Sequence, residues 1–322
     1  MSRDPCADMH APAKHRAANL AALTTPFPRN RTEFSQWFRE EADCLGYLAA
    51  IRWQDGFSCP KCGAGEAWDT GPGQRRCKAC RKWVSVTSGT LLHRTHKPVR
   101  DWLEAVWHLC GQKNGGSALG LQRSLGFGSY HTSWEWMHRI RRAAVVPART
   151  KLTGEVEIDE TFIGGVKTGK RGRGAAGKSL VLIAAEIRGV RMGRIRLVVI
   201  PDATATTLIG TVEDLVEPGS DVVTDGLSSY AGLPKSGYHH TVSRYTPQVG
   251  KNPLPHVHRV AALLKRWLLG THQGSVSHHR LQSYLDEFVF RFNRRASDSR
   301  GLLFHRLLVQ VLRSKPIARA RL

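Results

Sequence analysis

Four of the seven cysteines stand as two Cys-x-x-Cys pairs, Cys59-Pro60-Lys61-Cys62 and Cys77-Lys78-Ala79-Cys80, with 14 residues between them. No other feature limits the fold of this chain as sharply. Each pair offers two thiolates from one tight turn, and two such turns close a tetrahedral site around a single Zn²⁺. Gly63, Gly65, Gly71 and Gly73 suit those turns. With all four positions filled by protein, one structural zinc per chain is expected, which folds a ribbon and does no chemistry. A redox reading of either pair needs a βαβ context that the neighbouring sequence lacks. Lys61, Arg75, Arg76, Lys78, Arg81 and Lys82 surround the pairs, with Trp68 and Trp83 among them. That mixture suits contact with nucleic acid, although zinc ribbons also serve as protein-docking modules. The other three cysteines, Cys6, Cys44 and Cys110, are scattered, and an odd, uneven count argues for a reducing cytosol over a disulfide framework.

Charge narrows the partner. Lys and Arg total 48 against 26 acidic residues, a net charge of +22 with a pI near 10.3. Such an excess repels itself unless an anion neutralises it, and nucleic acid is the usual one. A merely basic or ribosome-associated protein is the bland alternative. No stretch approaches the roughly 20 apolar residues of a membrane span, and the N-terminus lacks the apolar core of a signal peptide. The expected setting is therefore cytoplasmic, at the nucleoid and away from membranes.

Along the chain, residues 1–30 read as a disordered N-terminus rich in Ala, Pro and charge, and 31–56 as a helical lead-in. The zinc ribbon takes 57–96. Residues 97–147 read as a helix-turn-helix region: Pro98 opens one helix, Asn114-Gly115-Gly116 breaks it, and Ser117 caps a second helix through Leu125. Gly126 and Gly128 then turn the chain into a third, Ser133 to Arg142, bearing His138, Arg139, Arg141 and Arg142. A plain helical spacer is the alternative. Beyond Pro147, three strands, a helix, a strand, then a strand and helices follow over 152–314, with a basic tail at 315–322. This α/β order fits a ribonuclease H-like core, preceded here by the zinc ribbon and the helix-turn-helix.

Gly172-Arg173-Gly174-Ala175-Ala176-Gly177-Lys178-Ser179 satisfies the phosphate-loop pattern letter for letter. Its mechanism needs a buried strand before it and a helix opening at the Lys. Here a basic run precedes it and a strand-like segment follows, so the 167–178 stretch reads as a basic hairpin touching DNA phosphates and not as a nucleotide site.

In so basic a chain, carboxylates at strand ends stand out. Asp159 ends Val156-Glu157-Ile158-Asp159 and Asp225 ends Val222-Val223-Thr224-Asp225. If those strands are neighbours, the two side chains can bridge divalent ions, as two-metal phosphoryl transfer requires. Strand-end turns are the alternative reading of each. For a third ligand, Asp286 and Glu287 lie on a later aromatic helix. His258 is better placed, 33 residues past Asp225, with Lys265 two helical turns further on the same face.

The chain resembles the zinc-ribbon DDE transposases of bacterial insertion sequences, the ISXO-type group, over roughly residues 30–314. The likeness rests on Arg52-Trp53-x-x-Gly56-Phe57-x-Cys59-Pro60-x-Cys62, the second cysteine pair, Ile158-Asp159-Glu160-Thr161-Phe162-Ile163-Gly164-Gly165 and Asp225-Gly226. It continues through Leu263-Leu264-Lys265-Arg266, Gly270-Thr271 and Tyr284-Leu285-Asp286-Glu287-Phe288-x-Phe290-Arg291-Phe292-Asn293-Arg294-Arg295. The resemblance implies that Asp159 and Asp225 are the first two catalytic carboxylates, holding two Mg²⁺ or Mn²⁺ ions. It makes Lys265 the basic residue after the third ligand, and places His258 where relatives carry Glu or Asn. Imidazole suits Mn²⁺ better than Mg²⁺. It further implies cleavage and strand transfer of double-stranded DNA, at element ends and target, by a dimer on paired ends. A DNA-binding regulator with an inert C-terminal domain is the competing reading, separated from it by divalent-metal-dependent cleavage.

Purified protein should carry about one Zn²⁺ per chain. Cys59→Ser or Cys80→Ser should release the metal, unfold the ribbon and weaken DNA binding, with the rest of the chain still folded. Elemental analysis checks this, and zinc-free wild-type protein would contradict it.

Overall fold

The computed structural model describes residues 25–145, 149–164, 178–244, 252–274 and 276–317. Most of the expected disordered N-terminus, the basic run within 167–178 as far as residue 177, and the last residues of the basic tail lie outside them.

Two short helices open the described chain, α1 (Arg31–Trp37) and α2 (Glu41–Arg52). Asn30 caps α1 through its side chain, and Glu40 and Asp43 form a reciprocal capping box on α2. The cysteine segment folds as an antiparallel three-stranded sheet, β1 (Ala67–Gly71), β2 (Gln74–Cys77) and β3 (Trp83–Ser85). The Arg52 guanidinium donates to the carbonyls of Ser85 and Ser88, tying the end of α2 to the ribbon.

Three more helices follow: α3 (Val99–Gly111), α4 (Ala118–Leu125) and α5 (Tyr130–Ala143). Ser117 caps α4, left-handed Gly126 ends it, and Ser129 caps α5, so the last helix starts three residues before the expected Ser133. The basic residues that suggested a DNA-reading helix are largely turned inward. Arg141 and His138 are each 1% exposed. Arg141 pairs with Glu287 at 2.7 Å, His138 Nδ1 meets the Ser283 hydroxyl at 3.0 Å, and Arg139 is held by Glu135. Arg141 is thus a buried cation with its partner, burial keeps His138 neutral by lowering its pKa to about 3, and Arg142 remains exposed.

The second half is built on a five-stranded sheet, β4 (Glu155–Ile163), β5 (Ser179–Arg188), β6 (Arg191–Ile200), β7 (Asp221–Thr224) and β8 (His239–Val242). Their spatial order is β6-β5-β4-β7-β8, antiparallel across the first three strands and parallel across β4, β7 and β8. One face, with Val156, Ile158, Leu182 and Val222, packs on α6 (Ala205–Leu215) and Tyr230. The other, with Ile163, Ile183 and Leu197, packs on α7 (Pro255–His272) and α8 (Leu281–Phe292). The edge strand β6 is not left open. Asn293 and Gln282 bond its backbone at Ile195, Leu197 and Val199, a cover that an exposed strand edge needs.

The final helix, α9 (Arg300–Arg313), does not join this sheet. Leu303, Phe304, Leu307, Leu308 and Val311 enter the same core as Phe34, Leu48, Trp102 and Met137 of the first helices. The span 152–314, expected as one catalytic domain, thus gives its last helix to the N-terminal module. The reason is an amphipathic helix whose apolar stripe fits that core. Among the described residues, no helix is long and apolar enough to cross a membrane.

Gly301 sits where α9 meets the incoming chain, and a β-carbon there would lie 1.6 Å from the Pro28 carbonyl oxygen. Gly301→Ala should therefore lower stability by about 1–3 kcal/mol through forced separation of that contact. Thermal denaturation measures it, and an unchanged midpoint would refute the contact.

Candidate active site

Asp159 does not end its strand as expected: it is the middle residue of β4, which runs on to Ile163 in its pairing with β5, whereas Asp225 directly follows β7, the strand beside it. In the parallel β4–β7 pair, Glu155 lies opposite Asp221 and Glu157 opposite Val223. Asp225 follows two residues after the last paired position, and its charge acts on the Asp159 carboxyl. Alternation along a strand puts Glu157, Asp159 and Val223, Asp225 on the face that meets α7. The Asp225-Gly226 step turns the chain away: Gly226 has φ +84°, and a β-carbon on it would stand 2.4 Å from Val242. Only glycine fits there, so the chain leaves β7 immediately after the carboxylate.

The third group arrives on α7. His258 Nε2 lies 3.1 Å from Asp159 Oδ2. Its Nδ1 lies 2.6 Å from Asn252 Oδ1, which also accepts the Leu254 amide at 3.1 Å. Because that oxygen accepts, Nδ1 is the nitrogen that donates to it, and Nε2 is the nitrogen turned to the aspartate. A cation between Nε2 and the carboxylate would find the imidazole already oriented by its other nitrogen, as in ligating histidines. Lys265 is exposed two turns on. Asp225 caps its own turn, accepting the Leu227 amide at 2.9 Å. Burial pushes the Asp159 carboxyl above the usual carboxylate range. The Glu160 amide and His258 oppose that rise, and the nearby Asp225 charge adds to it.

Several flanking residues escaped the reading of the sequence. Glu157, 4% exposed, accepts the His256 and Val257 amides at 2.8 and 3.0 Å and faces His256 Nδ1 at 2.6 Å. A carboxylate thus holds the N-terminus of α7, where helix amides lack partners and the dipole favours negative charge. Its place two residues before Asp159, on the same strand face, was the available signal. Tyr230 donates its hydroxyl to Glu160. Burial, with the Glu160 charge beside it, keeps that phenol protonated far above its ordinary range. Tyr230 is distant in sequence, and only the fold brings it there.

Glu287, the rival for the third position, is elsewhere. It is fully buried on α8, bonded to Arg141 at 2.7 Å, with Arg291 3.8 Å from its other oxygen. The phosphate-loop lookalike lies outside the described residues as far as residue 177. At its end Ser179 begins β5, paired antiparallel with β4, where the phosphate-loop mechanism needs a helix.

The cysteines converge as expected. All four sulfurs lie within 4.8 Å of one another, with Cys59–Cys80 and Cys62–Cys77 each at 3.6 Å. Four sulfurs about 2.3 Å from one zinc stand about 3.8 Å apart, so the set fits that ion. Among the described residues it is the one group of three or more Cys, His or acidic side chains gathered this closely. Cys44 and Cys110 are buried in the helical core, where desolvation pushes each thiol up to about 12 and leaves it inert.

Residues 39–83 match the family model of a transposase zinc-ribbon domain, and residues 151–293 that of the ISXO2-like transposase domain. The chain belongs to the zinc-ribbon transposases of insertion sequences. It is 28% identical over 282 residues to an "uncharacterized protein in transposable element ISH50" of Halobacterium salinarum, covering 79% of this transposase and 91% of that protein. The ISXO2-like match ends at residue 293, before α9, in keeping with the packing of that helix on the N-terminal module.

The buried Glu287 has a structural consequence. Glu287→Gln leaves the Arg141 cation without its charge partner, and removing one half of a buried pair costs about 3–5 kcal/mol. The variant transposase should melt earlier while its folded fraction still cleaves DNA. An unchanged melting temperature with no cleavage would instead make Glu287 part of the chemistry.

Proposed function

We propose that this transposase catalyses metal-dependent cleavage and strand transfer of DNA, with Asp159, Asp225 and His258 as the ligands of its catalytic ions. The observation that carries the reading is the convergence of three elements. Asp159 and Asp225 come from the neighbouring strands β4 and β7, with the Asp225 charge felt at Asp159, and α7 brings His258 Nε2 to 3.1 Å from Asp159. The strand order, with the long antiparallel strands first and the parallel pair after, agrees with a ribonuclease H-like core.

Two carboxylates and an imidazole form a donor set for hard or borderline divalent cations, with the imidazole tilting preference toward Mn²⁺. Two such ions, when bound, supply the Lewis acidity that phosphodiester hydrolysis and transfer need. The residues of the chain do the rest. Asn252 fixes the His258 tautomer, and Glu157 pins the first turn of α7. Lys265 and the basic 167–178 stretch hold phosphates. Water breaks the phosphodiester at the element's end and frees a 3′-hydroxyl. That hydroxyl then attacks a target phosphodiester, forming a new P–O bond as the target's own 3′-oxygen leaves and is protonated, with no covalent bond to the protein. The zinc ribbon and the helical module behind it bind the terminal inverted repeats, and two copies act on paired ends in the bacterial cytoplasm.

Asp159→Asn and Asp225→Asn should each abolish cleavage, by ~10³-fold or more, with binding of end DNA retained. His258→Ala should be nearly inactive, and His258→Glu should keep activity while moving preference toward Mg²⁺. Cleavage of end-bearing DNA in Mg²⁺ and in Mn²⁺, beside a binding assay, reads all four. Wild-type activity in His258→Ala would remove that residue from the site.

A further inference from the structure

The outer face of the ribbon sheet carries, in one row, several of the basic and aromatic side chains that suit nucleic-acid contact, and their arrangement says more than their composition. Trp68 on β1 stands opposite Arg76 on β2, and Arg76 stands opposite Trp83 on β3. Directly opposed residues on neighbouring strands lie about 5 Å apart on one face, so the three form a continuous strip. Alternation sends their neighbours the other way. Cys77 and Val84 are buried, and the Arg75 guanidinium lies 4.4 Å from the Trp53 ring centre. Trp68 is 39% exposed and Trp83 58%. One exposed indole needs no explanation, but two aligned across a sheet with a cation between them do. A second arginine completes the strip. Arg81 follows the last zinc ligand with φ 59°, a left-handed turn that lays its guanidinium 4.8 Å over Trp68, while that of Arg76 lies 5.5 Å over Trp83.

We propose that the Trp68–Arg76–Trp83 row, with Arg81, is a stacking platform for unpaired DNA bases. Indole faces and guanidinium planes stack on any base, and the same cations neutralise the adjoining phosphates. A duplex hides its base faces and offers edges and phosphates only, so it would use the arginines and leave both indoles idle. An acidic peptide would leave them equally idle. The inference rests on the DNA-processing reading above and adds the strand form that the ribbon takes, a single strand such as is exposed where an end is opened.

Zinc-loaded full-length protein tests it, by fluorescence anisotropy with a labelled single strand of about 12 nucleotides and with the duplex of the same sequence. Trp68→Ala and Trp83→Ala should each weaken single-strand binding about fivefold or more and change duplex binding less than about twofold. Arg76→Ala should weaken both and flatten their salt dependence. Single-strand affinity equal to wild type in both alanine variants, or equal loss on both DNAs, overturns the platform. Wild-type protein that binds neither DNA fails the broader reading instead. A second readout does not depend on how well the alanine variants fold. Single-stranded DNA should quench the tryptophan emission of the wild type, and the double variant Trp68→Phe, Trp83→Phe should lose that quenching while still binding. Quenching undiminished in the double variant overturns the proposal.

Discussion

The candidate site depends on one backbone relation, the parallel pairing of β4 with β7. Parallel neighbours run in the same direction, so a carboxylate in the middle of β4 and one just past the end of β7, far apart in sequence, come close enough for one charge to act on the other. Their mutual repulsion is the cost of that placement. It is visible in Asp159, whose carboxyl is raised by burial and further by Asp225, and it is relieved by the Glu160 amide and by His258. A strand hydrogen-bonded on both edges is the natural place for such stress. β4 pairs with β5 on one side and β7 on the other, and its backbone cannot shift without breaking one ladder.

The helix that delivers His258 is held at both ends. Glu157 takes its first amides, and at the far end Trp267 Nε1 and Thr271 Oγ1 both donate to the carbonyl of Asn114, at 2.8 Å each. Asn114 belongs to the turn between α3 and α4, in the module that also holds the ribbon through Arg52. The ion pair of Arg141 with Glu287 joins the same two halves. Packed elements thus connect the zinc ribbon to the helix that carries His258, and α9 folds back to close the N-terminal core.

Much of this was legible before any coordinates. The cysteine spacing named its own geometry, because four thiolates around one ion admit few arrangements. The strands and helices of the second half followed from apolar periodicity. The strand-end reading held for Asp225, just past β7, but Asp159 lies in the middle of β4, because the apolar run that shows where a strand lies does not show how far its pairing continues. His258 was favoured over Glu287 on its spacing to Asp225 and Lys265 and on the resemblance to the family; the structure puts His258 against Asp159 and Glu287 in a buried ion pair. What stayed hidden depended on long-range packing. The basic run of α5 read as a DNA-facing surface because sequence does not show which side of a helix is covered, and Arg141 and His138 turned out to be interior. Tyr230 and Asn252 gained their places only when distant turns met. The fate of α9 was equally unreadable, since an amphipathic helix does not declare which of two cores it will join.

The central claim is that the lone pair of His258 belongs to the metal site formed with Asp159 and Asp225. The most direct measurement is pulsed electron paramagnetic resonance of Mn²⁺ bound to the zinc-loaded protein. Nitrogen coupling from a directly ligated imidazole should appear in the wild type, vanish in His258→Ala, and be accompanied by loss of Mn²⁺ binding in Asp159→Asn. Mn²⁺ bound through Asp159 with no nitrogen coupling, or with coupling that survives His258→Ala, would contradict the account.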